Sequence, residues 1–309
     1  MTGSVRSARR ERGFRVGTGR VRRCRAVTAP ATTDDESAYY LDDGDRVVPT
    51  ILTQGPWHPN AQHGGPVCAL LAWAVERVPT LVPMQITRLT VDLWRAVPLS
   101  PLRVEQTIRR EGKRIQAVDV SLFDGETEVA HAAALRVRLG DTADPEVLED
   151  PRRPSTAPPP PPSRTGRLFT GPEADRIGFI RSLDAHRVVG TPGDGAPAVL
   201  WVRPRQPLVS GHETPPAARA AFASDFASAL ASYLDIRRWS YINPDVNLHL
   251  LREPTSDWIG VDGVTWVGER GIGHGRAGLY DLDGFIGSAS ASQVVERHPE
   301  QPVVRTGAE

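Results

Sequence analysis

A histidine followed by two glycines, His63-Gly64-Gly65, is the clearest group in the chain whose residue types and spacing could do chemistry. The group precedes Pro66 and the apolar run 67–75, and proline is favoured at the first position of a helix, so we predict a helix beginning at Pro66. Backbone N–H groups at a helix N-terminus lack partners and carry partial positive charge, which suits a carbonyl oxygen or an oxyanion. The glycines would let such an oxygen approach closely. A plain glycine turn is the alternative interpretation.

Histidine and cysteine are too sparse to predict a metal site or a disulfide framework. His58 and His63 flank Asn60, but no third ligand accompanies them, so we expect no metal ion. The two cysteines, Cys24 and Cys68, are too few for a cysteine-rich zinc site. Cys68 lies within the apolar run, which favours a small buried residue over a reactive thiol.

Hydrophobic periodicity indicates the elements that must position these residues. The run 67–75 is apolar on every face, so its helix must be buried on all sides and end before Pro79. The period then changes to two, which predicts half-buried strands with one wet face. Four such segments follow, at 88–93, 102–109, 117–122 and 129–137. Glu111-Gly112-Lys113 and Asp124-Gly125 predict hairpin turns between them.

The second half of the chain repeats this order. Residues 198–202 predict a strand, and Pro215-Pro216 precede an apolar stripe that predicts a helix from about Ala217 to Ser232. Four alternating segments follow, at 246–250, 258–266, 274–280 and 286–295, with a turn at 281–284. Two copies of a helix and a meander imply an internal duplication. A long antiparallel sheet wrapped around one buried helix in each half would satisfy both patterns, so the predicted class is α+β.

Length and composition agree with two domains. The 309 residues suggest about two domains at roughly 150 residues each. The 28 glycines and 28 prolines favour short strands with many turns over a helical bundle. No apolar run approaches the roughly 20 residues that cross a bilayer, so we expect no membrane insertion. The net charge is +0, but nine of the 37 basic residues lie within residues 1–26 beside one acidic residue.

These patterns divide the chain into five predicted segments. Residues 1–35 form an Arg-rich arm too charged to bury an apolar surface, which predicts disorder. Residues 36–140 form the first domain, 141–170 a Pro-rich linker in an extended polyproline conformation, 171–297 the second domain, and 298–309 a polar tail. The arm could bind nucleic acid or act as a transit peptide, but we expect a plain disordered tail and no nucleic-acid partner. It lacks the apolar core of a secretory signal, so we expect a cytoplasmic location.

Several motifs in order resemble one enzyme family. They are His63-Gly64-Gly65-Pro66 before the apolar helix, the segment 88–98, Ser224-Asp225-Phe226 in the second helix, and the segment 239–249 entering a strand. This series resembles the double-hotdog acyl-CoA thioesterases, in particular the acyl-CoA thioesterase II branch and its bacterial thioesterase-like relatives. The resemblance covers about residues 40–140 and 195–297. It implies a tandem hotdog fold. It also implies an enzyme that hydrolyses acyl-CoA to a free acid and CoA without a cofactor or metal.

The resemblance also implies catalytic positions. In the family an Asp, a Thr or Ser, and a Gln hold the attacking water, and these positions correspond most closely to Asp245, Thr265 and Gln293 of this chain. A gap-free match places the third position on Ser292 or Ala291, so either a bulge restores Gln293 or Ser292 takes the role. His63, Gly64 and Gly65 would bind the substrate through backbone donors.

Three other functions remain open from the sequence. A non-catalytic protein that binds acyl-CoA or acyl chains would fit a displaced Gln293. A hotdog enoyl-CoA hydratase needs an Asp and a His at one site. Asp245 and His249 are suggestive, but on a straight strand they lie about 13 Å apart at roughly 3.3 Å per residue. Binding of nucleic acid by the arm is the third.

Because hotdog proteins associate through their sheets, we expect a homo-oligomer, a dimer or larger.

Overall fold

Two helices and one long antiparallel sheet dominate the computed structural model of the chain. The structure describes residues 35–142, 175–190, 198–228, 234–235 and 238–298. The predicted arm, linker and tail lie almost wholly outside the described residues. Among the described residues, no helix is long and apolar enough to cross a membrane.

The first half has the predicted order of one buried helix followed by four strands. Its elements are β1 (Tyr40–Asp42), β2 (Val47–Pro49), α1 (Gly64–Glu76), β3 (Met84–Asp92), β4 (Arg103–Arg110), β5 (Ile115–Asp124) and β6 (Thr127–Arg138). Helix α1 is buried from Gly65 to Val75, as its apolar faces require. It begins at Gly64 and not at Pro66, and neighbouring groups leave no room for side chains at the two glycine positions.

Strand β4 is the one predicted strand whose burial differs from its pattern. We predicted one buried face, but residues 105–110 are all exposed, and Ile108 is 45% exposed. The strand lies at the edge of the sheet, and charged residues on an edge discourage pairing with another chain.

The second half repeats the order with a shorter helix. Its elements are α2 (Gly178–Arg181), β7 (Leu183–Val189), β8 (Ala198–Pro204), α3 (Pro216–Ser224), β9 (Trp239–Ile242), β10 (Asp245–Leu250), β11 (Ile259–Val267), β12 (Ile272–Asp281) and β13 (Gly284–Arg297). Helix α3 ends eight residues earlier than predicted, because residues 225–227 form a 3-10 turn. Residues 229–232 of the predicted helix lie outside the described residues.

The two halves join edge to edge in one sheet. The strand order is β4-β5-β6-β3-β10-β13-β12-β11-β8-β7, and β9 pairs with β13. At the junction β3 and β10 are antiparallel, from Asp92 opposite Asp245 to Arg88 opposite His249. Moving outward from this junction, the first half runs β3-β6-β5-β4 and the second runs β10-β13-β12-β11, so the first strand of each meander is followed by its fourth, third and second. Helices α1 and α3 pack against each other, which brings the start of α1 to the turn that follows α3.

Candidate functional site

The carboxylate of Asp225 lies against the first turn of α1, where only glycine leaves room for it. A Cβ atom on Gly64 would stand 2.6 Å from Oδ1 of Asp225 and 2.7 Å from Oδ2. Asp225 is the first residue of the 3-10 turn after α3 and is 5% exposed. The partial positive charge of a helix N-terminus stabilises a buried negative charge at this place.

Two side chains and one backbone amide hold this carboxylate. His63 Nδ1 lies 3.0 Å from Oδ2, and Asn243 donates from Nδ2 to Oδ1 at 2.7 Å. Burial acts to raise the pKa of Asp225, but the imidazole of His63 and the donors of Asn243 and Gly65 outweigh it. The pKa of Asp225 therefore lies below its ordinary value of 3.8, and the carboxylate is ionised at neutral pH.

Aromatic rings fix the plane of the His63 imidazole. The ring stacks on Phe179 with 3.7 Å between centroids and 11° between planes, and Phe226 lies 5.8 Å away. Phe179 belongs to α2, which approaches this closely because Gly178 has no side chain and its Cα faces the carbonyl of Ile51. The His63 side chain keeps 15% of its surface exposed.

An irregularity in strand pairing places Asn243 beside Asp225. On β13, Val294 pairs with Ile242 and Ser290 with Asn247, so five steps on one strand face four on the other. The extra residue lies between β9 and β10, and a β-bulge of this kind changes the face to which the following side chains point. Asn243 thereby reaches both the carboxylate and the backbone carbonyl of Asp225.

Gln293 and Thr265 extend the network on the far side of the turn. Gln293 Nε2 donates to the carbonyl of Ser228 at 2.8 Å, and Thr265 Oγ1 donates to the same oxygen at 2.6 Å. Ser228 Oγ donates to the carbonyl of Asp225 at 3.2 Å. Gln293 and Thr265 are both buried, so the network is shielded from bulk solvent.

Two acceptors of this network are buried without a hydrogen-bond partner within the described residues. They are Oδ1 of Asn243 and Oε1 of Gln293. A buried polar atom without a partner costs free energy, and such atoms occur where a water or ligand binds. Gly273 lies opposite Gln293, where a Cβ atom would stand 2.5 Å from Oε1. The arrangement can therefore accept hydrogen bonds from a small polar molecule.

Five of the six predicted site residues lie at or beside this network. His63, Gly64, Thr265 and Gln293 have the contacts described above, and the Gly65 N–H lies 3.1 Å from His63 Nδ1. Gly64 is half-buried, and among the described residues its N–H has no acceptor. This N–H is open to an incoming oxygen, whereas that of Gly65 is directed at the protein's own groups.

Asp245 lies outside the network. It begins β10, where its carboxylate accepts hydrogen bonds from Ser292 N and Asn247 Nδ2, each at 2.7 Å. Val246 and Leu248 are buried and alternate with it, so Asp245 points away from the helices.

The other positions considered from the sequence also lie outside the network. Of the two alternatives to Gln293, Ser292 is exposed and Ala291 is buried. His249 is on the same strand as Asp245, and no bend in β10 brings it toward that residue, so the spacing stays at about 13 Å.

Asp225 and Asn243 are the site residues that the sequence analysis did not select. Asp225 stood within a motif of the resemblance but received no role. It is the one charged residue between Arg219 and Asp235, and an isolated acid in an uncharged helical stretch is a usable signal. Asn243 gave only a turn signal before Pro244, because its inward direction depends on the bulge.

The duplication predicts a second place related to the site, and in the first half the side chain of Arg136 closes it. Hairpins β5–β6 and β12–β13 have matching turns and register shifts, and the pair Gln116–Arg136 corresponds to the pair Gly273–Gln293. The Arg136 guanidinium is 3% exposed. It donates to Glu76 Oε2 at 2.8 Å, Gln116 Oε1 at 3.1 Å and the carbonyl of Val78 at 2.6 Å. Residues 215 and 216, at the start of α3, are prolines without N–H donors.

Two family models match successive parts of the chain. The model of the acyl-CoA thioesterase N-terminal domain matches residues 53–137, and that of the acyl-CoA thioesterase C-terminal domain matches residues 151–295. Together the two matches cover more than half of the chain. A search of curated proteins finds no match to this sequence.

Solved structures show the fold. A hot dog fold protein of unknown function from Alicyclobacillus acidocaldarius is 15% identical with a TM-score of 0.64, over 87% of this chain and 98% of that one. The acyl-CoA thioesterase II TesB2 of Mycobacterium marinum is 16% identical with a TM-score of 0.57, over 81% and 97%. The tesB protein of Mycobacterium avium subsp. paratuberculosis is 15% identical with a TM-score of 0.58, over 82% and 93%. The predicted double hotdog is confirmed, and the chain belongs to the acyl-CoA thioesterase family.

Proposed function

We propose that the chain hydrolyses an acyl-CoA thioester to a free acid and CoA at the network around Asp225. Water is the nucleophile, with no covalent intermediate and no metal ion. The observation that carries the proposal is the ionised, buried carboxylate of Asp225, which is paired with His63 at the first turn of α1. This assignment moves the predicted carboxylate from Asp245 to Asp225.

The residues of the network can meet each requirement of thioester hydrolysis. The reaction needs a positioned water, a group that takes its proton, and a donor for the oxyanion. The unpartnered oxygen of Asn243 or of Gln293 can accept one hydrogen bond from the water, which leaves the second proton of the water for transfer. The pair of His63 and Asp225 can exchange the proton, and the N–H of Gly64 can donate to the carbonyl oxygen of the thioester.

The nearby thiol is unsuited to act as a nucleophile. Cys68 is 1% exposed, and burial together with the charge of Asp225 holds its pKa well above the ordinary value of 9.0. The thiolate is the nucleophilic form of cysteine, so Cys68 stays neutral and unreactive. This supports direct attack by water over an acyl-enzyme on that sulfur.

The test is release of free thiol from acyl-CoAs between acetyl-CoA and palmitoyl-CoA. We expect the full chain to turn over at least one of them. Asp225→Asn should lower kcat at least 100-fold, since loss of the carboxylate disables the pair that exchanges the proton. The substitution keeps the shape of the side chain. Saturable binding of acyl-CoA with no turnover on any chain length would overturn the proposal in favour of a binding protein.

A further inference from the structure

The pair of His63 and Asp225 contains two groups that could take a proton, and their hydrogen bonds distinguish them. This inference rests on the proposed function. We infer that Nε2 of His63 accepts the proton of the attacking water, while Asp225 holds the imidazole in the required tautomer. Asp225 then acts as a positioning residue, and His63 contacts the reacting atoms.

The position of Nδ1 assigns the tautomer. This nitrogen lies 3.0 Å from Oδ2 of Asp225 and 3.1 Å from the amide nitrogen of Gly65. It cannot donate to the carboxylate and accept from Gly65 at the same time. An Nδ1 lone pair facing a buried carboxylate would be repelled by it, since low dielectric strengthens such interactions. The proton therefore sits on Nδ1, and the Gly65 N–H also serves the carboxylate.

The oxygens of Asp225 are already engaged. Oδ1 accepts from Asn243 and Oδ2 from His63, and the residue is 5% exposed. These donors stabilise the ionised form, which keeps the pKa of Asp225 below 3.8 and makes the carboxylate a weak base. A general base is most effective when it titrates near the working pH, and imidazole is the side chain that does so near neutrality.

Nε2 of His63 is the free atom of the pair. Within the described part of the chain it makes no hydrogen bond, and 15% of the side-chain surface is open. With the proton on Nδ1, Nε2 presents a lone pair. Stacking on Phe179 fixes the ring plane, so the direction of that lone pair is set before substrate binds.

The proposed step balances without another reactant. The water oxygen bonds to the thioester carbonyl carbon as its proton passes to Nε2, which gives a tetrahedral oxyanion and an imidazolium. The C–S bond then breaks, and the sulfur takes the proton from Nε2. The products are the free acid and CoA with its thiol, and His63 returns to its starting form.

Few titratable groups surround the imidazole among the described residues. Asp225 contributes from the turn after α3, and Cys68 from α1 interacts with Asp225 as a neutral thiol. The other neighbours of the ring are aromatic: Phe179 of α2 stacks on one face, and Phe226 of the turn after α3 lies nearby. The pH dependence of the reaction should therefore follow the imidazole, with an acidic limb caused by its protonation.

The test replaces the base while keeping the hydrogen bond to Asp225. His63→Asn retains an N–H donor for the carboxylate and is a favoured residue before a helix, so the variant should fold. We expect kcat to fall at least 100-fold with little change in KM, and the acidic limb of the kcat profile to disappear. Retention of kcat within about threefold, or an unchanged acidic limb, would overturn the inference and leave Asp225 as the base.

A second measurement does not depend on activity. Nitrogen-15 NMR of the His63 ring in the full chain should show a protonated Nδ1 and an unprotonated Nε2 in mildly alkaline buffer. The preference should weaken in Asp225→Asn. The opposite tautomer in the wild type would overturn the inference even if the chain hydrolyses acyl-CoA. Correct tautomers in a chain without turnover would instead locate the failure in the proposed function.

Discussion

Gly64 determines how closely the Asp225 carboxylate can approach α1. A Cβ atom at this position would stand 2.6 Å from Oδ1, which is closer than real contacts allow. We predict that Gly64→Ala displaces the carboxylate and lowers kcat for acyl-CoA hydrolysis by roughly 10- to 100-fold, since a shift of about 1 Å in a reacting group costs up to about that much.

The matched control is Gly140→Ala, where a Cβ atom meets nothing within 4 Å. It should leave the rate of thiol release unchanged. An active Gly64→Ala variant with wild-type kcat would contradict the position given to Asp225.

The site residues show where sequence reasoning stops. The His63-Gly64-Gly65 group could be found from the sequence, because helix starts have recognisable local chemistry. Asp225 had a usable signal as an isolated acid, but its contacts and those of Asn243 could not be predicted. One residue depends on the change from α3 to a 3-10 turn, and the other on a bulge beside Pro244. Asp245 was the predicted carboxylate because it opens a strand at the position that the resemblance favours. That role stays a prediction, and the structure places the residue outside the network.

At the scale of elements, the ion pair of Arg136 and Glu76 connects the end of α1 to β6; Arg136 is buried, and the Glu76 side chain is 20% exposed. Removing one member of a fully buried pair leaves an uncompensated charge and typically costs about 3–5 kcal/mol, and the exposure of Glu76 favours the lower end, about 3 kcal/mol. We predict that Arg136→Ala lowers the free energy of unfolding by about that amount in urea titrations. Replacing both residues, by Arg136→Met and Glu76→Leu, should recover most of the loss, because apolar groups of similar volume need no partner.

The same double variant should retain acyl-CoA hydrolysis. Glu76 is the last residue of α1, about 18 Å from Gly64 at 1.5 Å rise per residue. A single Arg136→Ala variant as stable as the wild type would contradict a structural role for the pair.

A second buried carboxylate holds the hairpin of β12 and β13 to the segment before β11. Asp281 is fully buried and accepts two hydrogen bonds from Arg252, each at 2.6 Å, and one from Thr255 N at 2.9 Å. Burial acts to raise the pKa of Asp281, but these donors lower it to about 2 from 3.8. The lowered pKa means that the folded state favours the ionised form.

This pair predicts a pH-dependent part of the stability. The contribution of Asp281, about 2 kcal/mol, should be fully present above pH 4 and be lost as the pH falls from about 4 to about 2. Urea titrations of wild type and Asp281→Asn over that range should show the difference in unfolding free energy shrinking with acidity. A constant difference would contradict the assignment.

The strands were largely predictable, whereas some boundaries and burials were not. Period-two alternation correctly predicted the strands β5, β6, β11, β12 and β13, because one face of each packs on a helix. The same pattern in β4 was wrong about burial, since periodicity does not show which strand lies at an edge. Helix α1 starts two residues before Pro66. Glycine is needed at both added positions, because Asp225 and the carbonyl of Phe222 fill the space that side chains would take.

At the scale of the whole molecule, duplication gives two related places, and within the described ranges one of them has a donor for an oxyanion. The place around Asp225 has the N–H of Gly64, whereas the place around Arg136 begins with Pro215-Pro216 and is closed by the Arg136 side chain. We predict that the Asp225→Asn variant binds one acyl-CoA per chain in calorimetric titration. Saturation at two per chain would contradict closure of the second place. The oligomeric state stays a prediction.

The most direct test of the account compares Asp225→Asn with Asp245→Asn. Both substitutions remove one carboxylate and keep its shape, and both are read by thiol release on the best acyl-CoA of the panel. We expect Asp225→Asn to lower kcat/KM at least 100-fold and Asp245→Asn to stay within about threefold of the wild type. A large loss in Asp245→Asn with a nearly active Asp225→Asn would contradict the proposed site and return the catalytic role to the start of β10.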